Sequence, residues 1–147
     1  MKKIAFKAGL SLMETKQFIL KNKPLSAQAD AVVERMLEKG EEILFVIAGD
    51  LNLKGRYAET ALIFTPDSIV RCDGDEGDDK RYFYSDMREV KAKRMYGNAA
   101  MPALMPDGRR EVFFRYTYAT ASLCDAAALF INHINEGEDL NEEKAIM

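Results

Sequence analysis

One histidine, two cysteines, one acidic run and a few spaced cations are the residues in this chain with chemical potential. A Ser–His or Cys–His nucleophile needs an imidazole within hydrogen-bond reach, and only His133 could supply it. His133 falls in what reads as the last turn of a helix, where a cation is favoured by the helix C-terminus anyway. No catalytic residue is assigned, and the chain is not expected to be an enzyme. The run Asp73, Asp75, Glu76, Asp78, Asp79 looks superficially like a calcium loop. That loop needs acids at alternate positions and a bidentate Glu at the twelfth; here Gly77 replaces the third ligand and Tyr84 stands twelfth. A solvated hairpin tip fits better, so neither metal nor cofactor is expected. Gly49 and Gly55 have the look of a phosphate loop, but Arg56-Tyr57 follows where Lys-Ser/Thr is required.

The basic residues are more informative. Lys54 and Arg56 form one pair, and Lys91 and Lys93, with Arg88 and Arg94 nearby, form another segment. Strand alternation sends Lys91 and Lys93 to one face. Lys54, Arg56, Lys91 and Lys93 could therefore make a basic strand face that binds anionic lipid headgroups, since surface attraction is worth about 1 kcal/mol per basic residue. A solvated edge protected by lysines is the plainer reading. With 21 basic against 24 acidic residues and a net charge of −3, the chain lacks the basic footprint of a general nucleic-acid binder. Tyr82, Phe83, Tyr84, Phe113, Phe114, Tyr116 and Tyr118 are accordingly read as core rather than a base-stacking platform.

These residues must be positioned by one domain. At 147 residues, 48% hydrophobic and 31% charged, the chain can bury most of its surface in a single core. No apolar run approaches the roughly 20 residues of a membrane helix, and Lys7 breaks the start MKKIAFKAGL before it can serve as a signal peptide. Cys72 and Cys124, far apart and in no CxxC pair, read as reduced, buried thiols of a cytoplasmic protein, with a disulfide between them as the lesser alternative.

Residues 1–40 read as a helical extension. Ser11 begins a short helix to Lys21, and Ser26 caps a second with a stripe of Ala29, Val32, Val33, Met36 and Leu37. From residue 42 the pattern turns to strands: 43–48 (ILFVIA), a continuous run fitting a strand covered on both faces, then 57–65, 68–72, 81–84, 90–95, 99–105 and 110–118. Residues 49–52 are turn-like or a bulge, and Pro66-Asp67, Gly97-Asn98 and Pro106-Asp107-Gly108 make turns. Ser122 with Asp125 resembles a capping box. Leu123, Ala127, Phe130, Ile131 and Ile134 form one helical stripe, and Gly137 supplies its stop. About seven antiparallel strands followed by one helix predict an α+β, mainly β domain over 41–137. It would be a partly open barrel plugged by the helix, with 138–147 a polar tail or linker.

This order of elements resembles the pleckstrin-homology (PH) fold of bacterial PH-like and GRAM-like domains. The phrases GDLNLKGRYAE (49–59), TPDSI (65–69), YGN (96–98) and RYT (115–117) are similar to a domain at the N-terminus of some bacterial ABC exporters, a likeness covering roughly 41–136. The resemblance implies a non-catalytic, cytoplasmic interaction or regulatory module. Its partner would be a protein or the rest of a larger transporter polypeptide. The contact loops would be Gly49, Asp50, Gly55, Arg56 and Tyr57, with Tyr96 and Asn98. Lys54-Gly55-Arg56-Tyr57 also matches the Lys-x-Arg-hydrophobic phrase with which some PH domains grip phosphates, although 41–53 lacks that phrase's upstream cation.

Overall fold

The computed structural model describes residues 11–74 and 79–146. Two serines start the helices. Ser11 accepts from the Glu14 N–H at the head of α1 (Leu12–Phe18), and Ser26 from the Ala29 N–H at the head of α2 (Ala27–Glu38). Each satisfies a donor that a helix start leaves unpaired. α1 stops at Phe18, short of Lys21, because β1 (Leu20–Lys21) pairs in parallel with the next strand. Two residues carry no readable period, so this strand is silent in the sequence.

The other strands are antiparallel. β2 (Phe45–Leu51), β3 (Tyr57–Phe64), β4 (Ser68–Cys72) and β5 (Lys80–Phe83) make one meander, and β6 (Lys93–Arg94), β7 (Ala99–Leu104) and β8 (Arg110–Tyr116) a second. Their order is β5-β4-β3-β2-β8-β7-β6. The halves join through the pair Leu51–Arg115, and the sheet does not close on itself. The expected α+β, mainly antiparallel architecture with a C-terminal helix is present.

Residues 49–52 resolve as a bulge: the β2–β3 register shifts between Gly49 and Leu51. The turn comes later, where the Asn52 side chain accepts from the N–H groups of Lys54 and Arg56. The expected strand at 90–95 is regular only at Lys93–Arg94. Before it, Arg88 bridges Leu104 and the Lys91 N–H bonds to the Pro102 carbonyl.

Thr117, not Ser122, opens the C-terminal helix. Its hydroxyl accepts from the Ala119 N–H and begins a 3₁₀ turn (Tyr118–Thr120) that runs into α3 (Ala121–Ile146). The helix also passes Gly137, so 138–146 is helical and His133 lies well inside it. A glycine inside a helix costs about 1 kcal/mol, which strong helix formers on either side can outweigh.

Alternation divides β2–β4 between two cores. Ile47, Leu62, Phe64 and Ile69 join Phe113, Phe114, Tyr116, Cys124, Ala127 and Ile131 on the α3 side. Val46, Ala61, Ile63, Val70 and Cys72 join Ala29, Val32, Val33, Met36 and Leu37 of α2. The unbroken apolar run at 43–48 thus reflects two covered faces, each buried aliphatic side chain being worth roughly 1.5–3 kcal/mol. Leu123 departs from the predicted stripe: it is 41% exposed.

Candidate interaction face

The predicted loop residues divide into those that build the loop and those that face outward. At Gly49 a Cβ would come within 2.6 Å of both the Phe114 ring and the Thr60 hydroxyl. Only glycine fits that approach. Asp50 accepts from the Thr117 N–H at 3.0 Å and also from the Thr117 hydroxyl, so its carboxylate holds the bulge to the start of the helix. Gly55 turns the hairpin at φ +79°. Arg56 and Tyr57 project outward, Tyr57 being 86% exposed.

The second turn closes through the Met95 N–H on the Asn98 carbonyl at 2.8 Å. Tyr96 is fully exposed at its tip, while the Asn98 Oδ1 is buried without a hydrogen-bond partner. The Tyr118 hydroxyl donates to the Met95 carbonyl at 2.6 Å, and the Arg94 guanidinium lies 5.6 Å from the Tyr118 ring centre. Both turns are therefore fastened to the segment 117–118 that starts the helix.

Strand register adds a relationship that the two loops alone do not reveal. Tyr57 pairs with Leu51, Leu51 with Arg115, Arg115 with Ala100, and Ala100 with Lys93. Directly paired residues project from the same face of a sheet. Tyr57, Arg115 and Lys93 thus stand in one row over the small floor of Leu51 and Ala100, with Arg56 beside one end. Lys91, two residues from Lys93, is exposed as well. Among the described residues Arg56, Lys91, Lys93 and Arg115 form no ion pair, whereas Lys16, Lys80 and Arg81 are neutralised by carboxylates at 2.7–3.2 Å. Arg115 was not singled out in the sequence, although alternation with buried Phe114 and Tyr116 marks it as outward.

The cysteines, the histidine and the ends of the acidic run lie apart from this row. Burial pushes the Cys124 thiol up to about 12 and the Cys72 thiol likewise, and both are free and buried. His133 is exposed, so a protonated, enclosed Cys124 has no nucleophile partnership with it. Asp75, Glu76, Gly77 and Asp78 lie outside the described residues. Of the acidic run's ends, Asp73 accepts from the Leu53 N–H at 3.0 Å and Asp79 pairs with Arg35 at 3.0 Å. Tyr82, Tyr84, Phe113, Phe114 and Tyr116 are buried in the core, while Phe83 and Tyr118 are about half exposed.

A buried cation escaped the sequence reading altogether. Arg71 donates to the Tyr82 hydroxyl at 2.7 Å, and that hydroxyl donates to Glu111 at 2.6 Å, where Lys80 also binds at 3.2 Å. This chain of bonds links β4 and β5 to β8. Burial raises the Tyr82 pKa, keeping it a donor, and its hydrogen bond holds the Glu111 carboxyl below the usual range. Among the described residues no group of three or more His, Cys, Asp or Glu could hold a metal, and no helix is long and apolar enough to cross a membrane. No family model matches the chain, and no curated protein matches it.

Proposed function

We propose that the chain is a PH-like, non-catalytic interaction module whose contact face is the row from Tyr57 to Lys93. The observation that carries this reading is the register that aligns residues of β3, β8 and β6 in one line. A four-stranded meander, a three-stranded meander and then a helix is the order the pleckstrin-homology resemblance implies. Three of the four exporter-like phrases bear on this face: GDLNLKGRYAE builds the first hairpin, YGN the second turn, and RYT contributes Arg115, while TPDSI makes the partly buried β3–β4 turn elsewhere. On this basis the module acts as a cytoplasmic regulatory domain of an ABC exporter, its partner being the rest of that polypeptide. Reading the genomic frame past the Met147 codon tests the assignment. Continuation into several apolar helices of about 20 residues and a GxxxxGK[ST] loop supports it; an immediate stop codon overturns the exporter part.

The unpaired cations favour a second reading, in which the same face rests on anionic lipid headgroups. Exposed Tyr57 and Tyr96 suit a membrane interface, where amphipathic rings sit at headgroup level. Co-sedimentation with phosphatidylcholine vesicles, with and without phosphatidylserine, tests it. Binding should require the acidic lipid, fall with salt, and disappear in the double variant Lys93→Glu, Arg115→Glu. Indifference to phosphatidylserine removes the lipid reading and leaves the protein partner.

A further inference from the structure

The segment between the 3₁₀ turn Tyr84–Asp86 and β6 is held from two sides. Arg88 exchanges both backbone hydrogen bonds with Leu104 of β7, at 2.9 and 2.7 Å. From α3, the Asn132 side chain accepts from the Val90 N–H at 3.0 Å and donates to its carbonyl at 2.8 Å, and Asn135 donates to the Met87 carbonyl. Glu89, between these clamps, has φ +46°, a left-handed conformation that residues with side chains rarely adopt. The segment and the helix bound a pocket of about 410 Å³, within the roughly 300–1,000 Å³ of small-ligand sites. Lys91 is the one residue that it shares with the basic face. We propose that this pocket binds a small zwitterion of the free amino-acid or dipeptide type, its carboxylate at Lys91 and its ammonium at Glu136 and Asn135.

The charges on the two walls select that occupant. Lys91 on the segment and Glu136 on the helix both line the pocket and are exposed. Among the described residues neither forms an ion pair, with the other or with any third group, whereas the Glu89 carboxylate is answered by Arg110 at 3.0 Å. A lone anion drawn to Lys91 would meet the Glu136 carboxylate, and a lone cation drawn to Glu136 would meet Lys91. A molecule carrying both charges satisfies both walls. Arg88 lines the same wall as Lys91, which sets the carboxylate on that side. Asn135 is the second observation. It is 4% exposed, and with its Nδ2 on the Met87 carbonyl its Oδ1 is buried without a donor. Buried acceptors are nearly always hydrogen-bonded, and an ammonium has three N–H donors, enough to serve both Asn135 and Glu136. The clamps on Met87, Arg88 and Val90 fix the segment wall beforehand, so binding requires little ordering.

Isothermal titration of the full chain with L-alanine and with L-alanyl-L-alanine tests the proposal. Saturable binding of at least one of them, at one molecule per chain, is expected. The same compound acetylated at its ammonium, or amidated at its carboxylate, should bind about tenfold more weakly, the loss of one charge-assisted hydrogen bond. Lys91→Gln and Glu136→Gln should each weaken the free zwitterion to a similar degree. Both positions are exposed, so neither change should move the melting temperature of the free chain. The double variant Lys93→Glu, Arg115→Glu should bind the zwitterion as the parent does, which separates this pocket from the row. No saturable binding of either compound, equal binding of the blocked forms, indifference to both Lys91→Gln and Glu136→Gln, or loss of binding in the row variant would each overturn the proposal.

Discussion

Asp50 accepts two hydrogen bonds from one residue, the N–H and the hydroxyl of Thr117. The carboxylate thus joins the β2 bulge to the 3₁₀ turn that becomes α3. Hydrogen bonds to a charged acceptor are worth roughly 1.5–3 kcal/mol. Asp50→Ala should lower unfolding free energy by about 2 kcal/mol, read as a drop in the urea midpoint at unchanged slope. A loss of binding without loss of stability would instead make Asp50 a contact residue.

Gly49→Ala tests the neighbouring close approach. Its methyl would press on Phe114, which is fully buried, and on Thr60. Overpacking of this kind costs about 1–3 kcal/mol. A melting temperature equal to the parent's would show that β2 can shift to make room.

Tyr57 and Tyr96 make the opposite case. Both are exposed, and surface substitutions usually stay within about 0.5 kcal/mol. Tyr57→Ala and Tyr96→Ala should melt like the parent yet reduce retention on the partner polypeptide or on acidic vesicles.

Acid should weaken the link between β5 and β8. The Tyr82 hydrogen bond, aided by Lys80, holds Glu111 below its ordinary value of 4.5. A depressed carboxyl stabilises the fold at neutral pH, where it is ionised in both folded and unfolded chains. That contribution disappears as pH falls from the ordinary value through the lower folded one. Stability measured from pH 7 downward should therefore fall less steeply below about pH 4.5 in Glu111→Gln than in the parent. Identical acid limbs would deny Glu111 this role.

Thiol chemistry gives a further check. With both cysteines buried and pushed up to about 12, the native chain should ignore a thiol-specific disulfide reagent at pH 8. Both groups should react once denaturant unfolds it, because the thiolate is the reactive form. Rapid reaction of either native thiol would show that its segment opens readily.

Much of this fold is written in local pattern. The six longer strands, the two serine caps and the stripe of α2 follow from alternation, helical spacing and side-chain acceptors placed before apolar runs. What stayed illegible depends on distant partners. Leu20 and Lys21 are a strand only because β2 lies beside them. Arg71 sits in the run SIVRC with no local sign that Tyr82 and the Phe113 carbonyl await its guanidinium. Thr117 takes over the helix start because a 3₁₀ turn precedes α3, which a capping-box pattern at Ser122 does not encode. The candidate face was half visible: Arg56, Tyr57 and Lys93 stand out in sequence, but their alignment with Arg115 exists only through a four-pair register.

The single Leu51–Arg115 pair between the meanders bears on how the chain folds. Within each meander, strands pair with their sequence neighbours, so loop closure costs little entropy. Uniting the meanders is different: the Asp50–Thr117 contact spans 67 residues and is bought with little ladder in return. Non-local contacts of that kind slow folding. Local hairpins are expected to form first and the junction last, which also makes the junction the first place to open in the native state. Amide exchange at Leu51 and Thr117 should then outpace exchange at Leu62 and Val70, deep in the first meander.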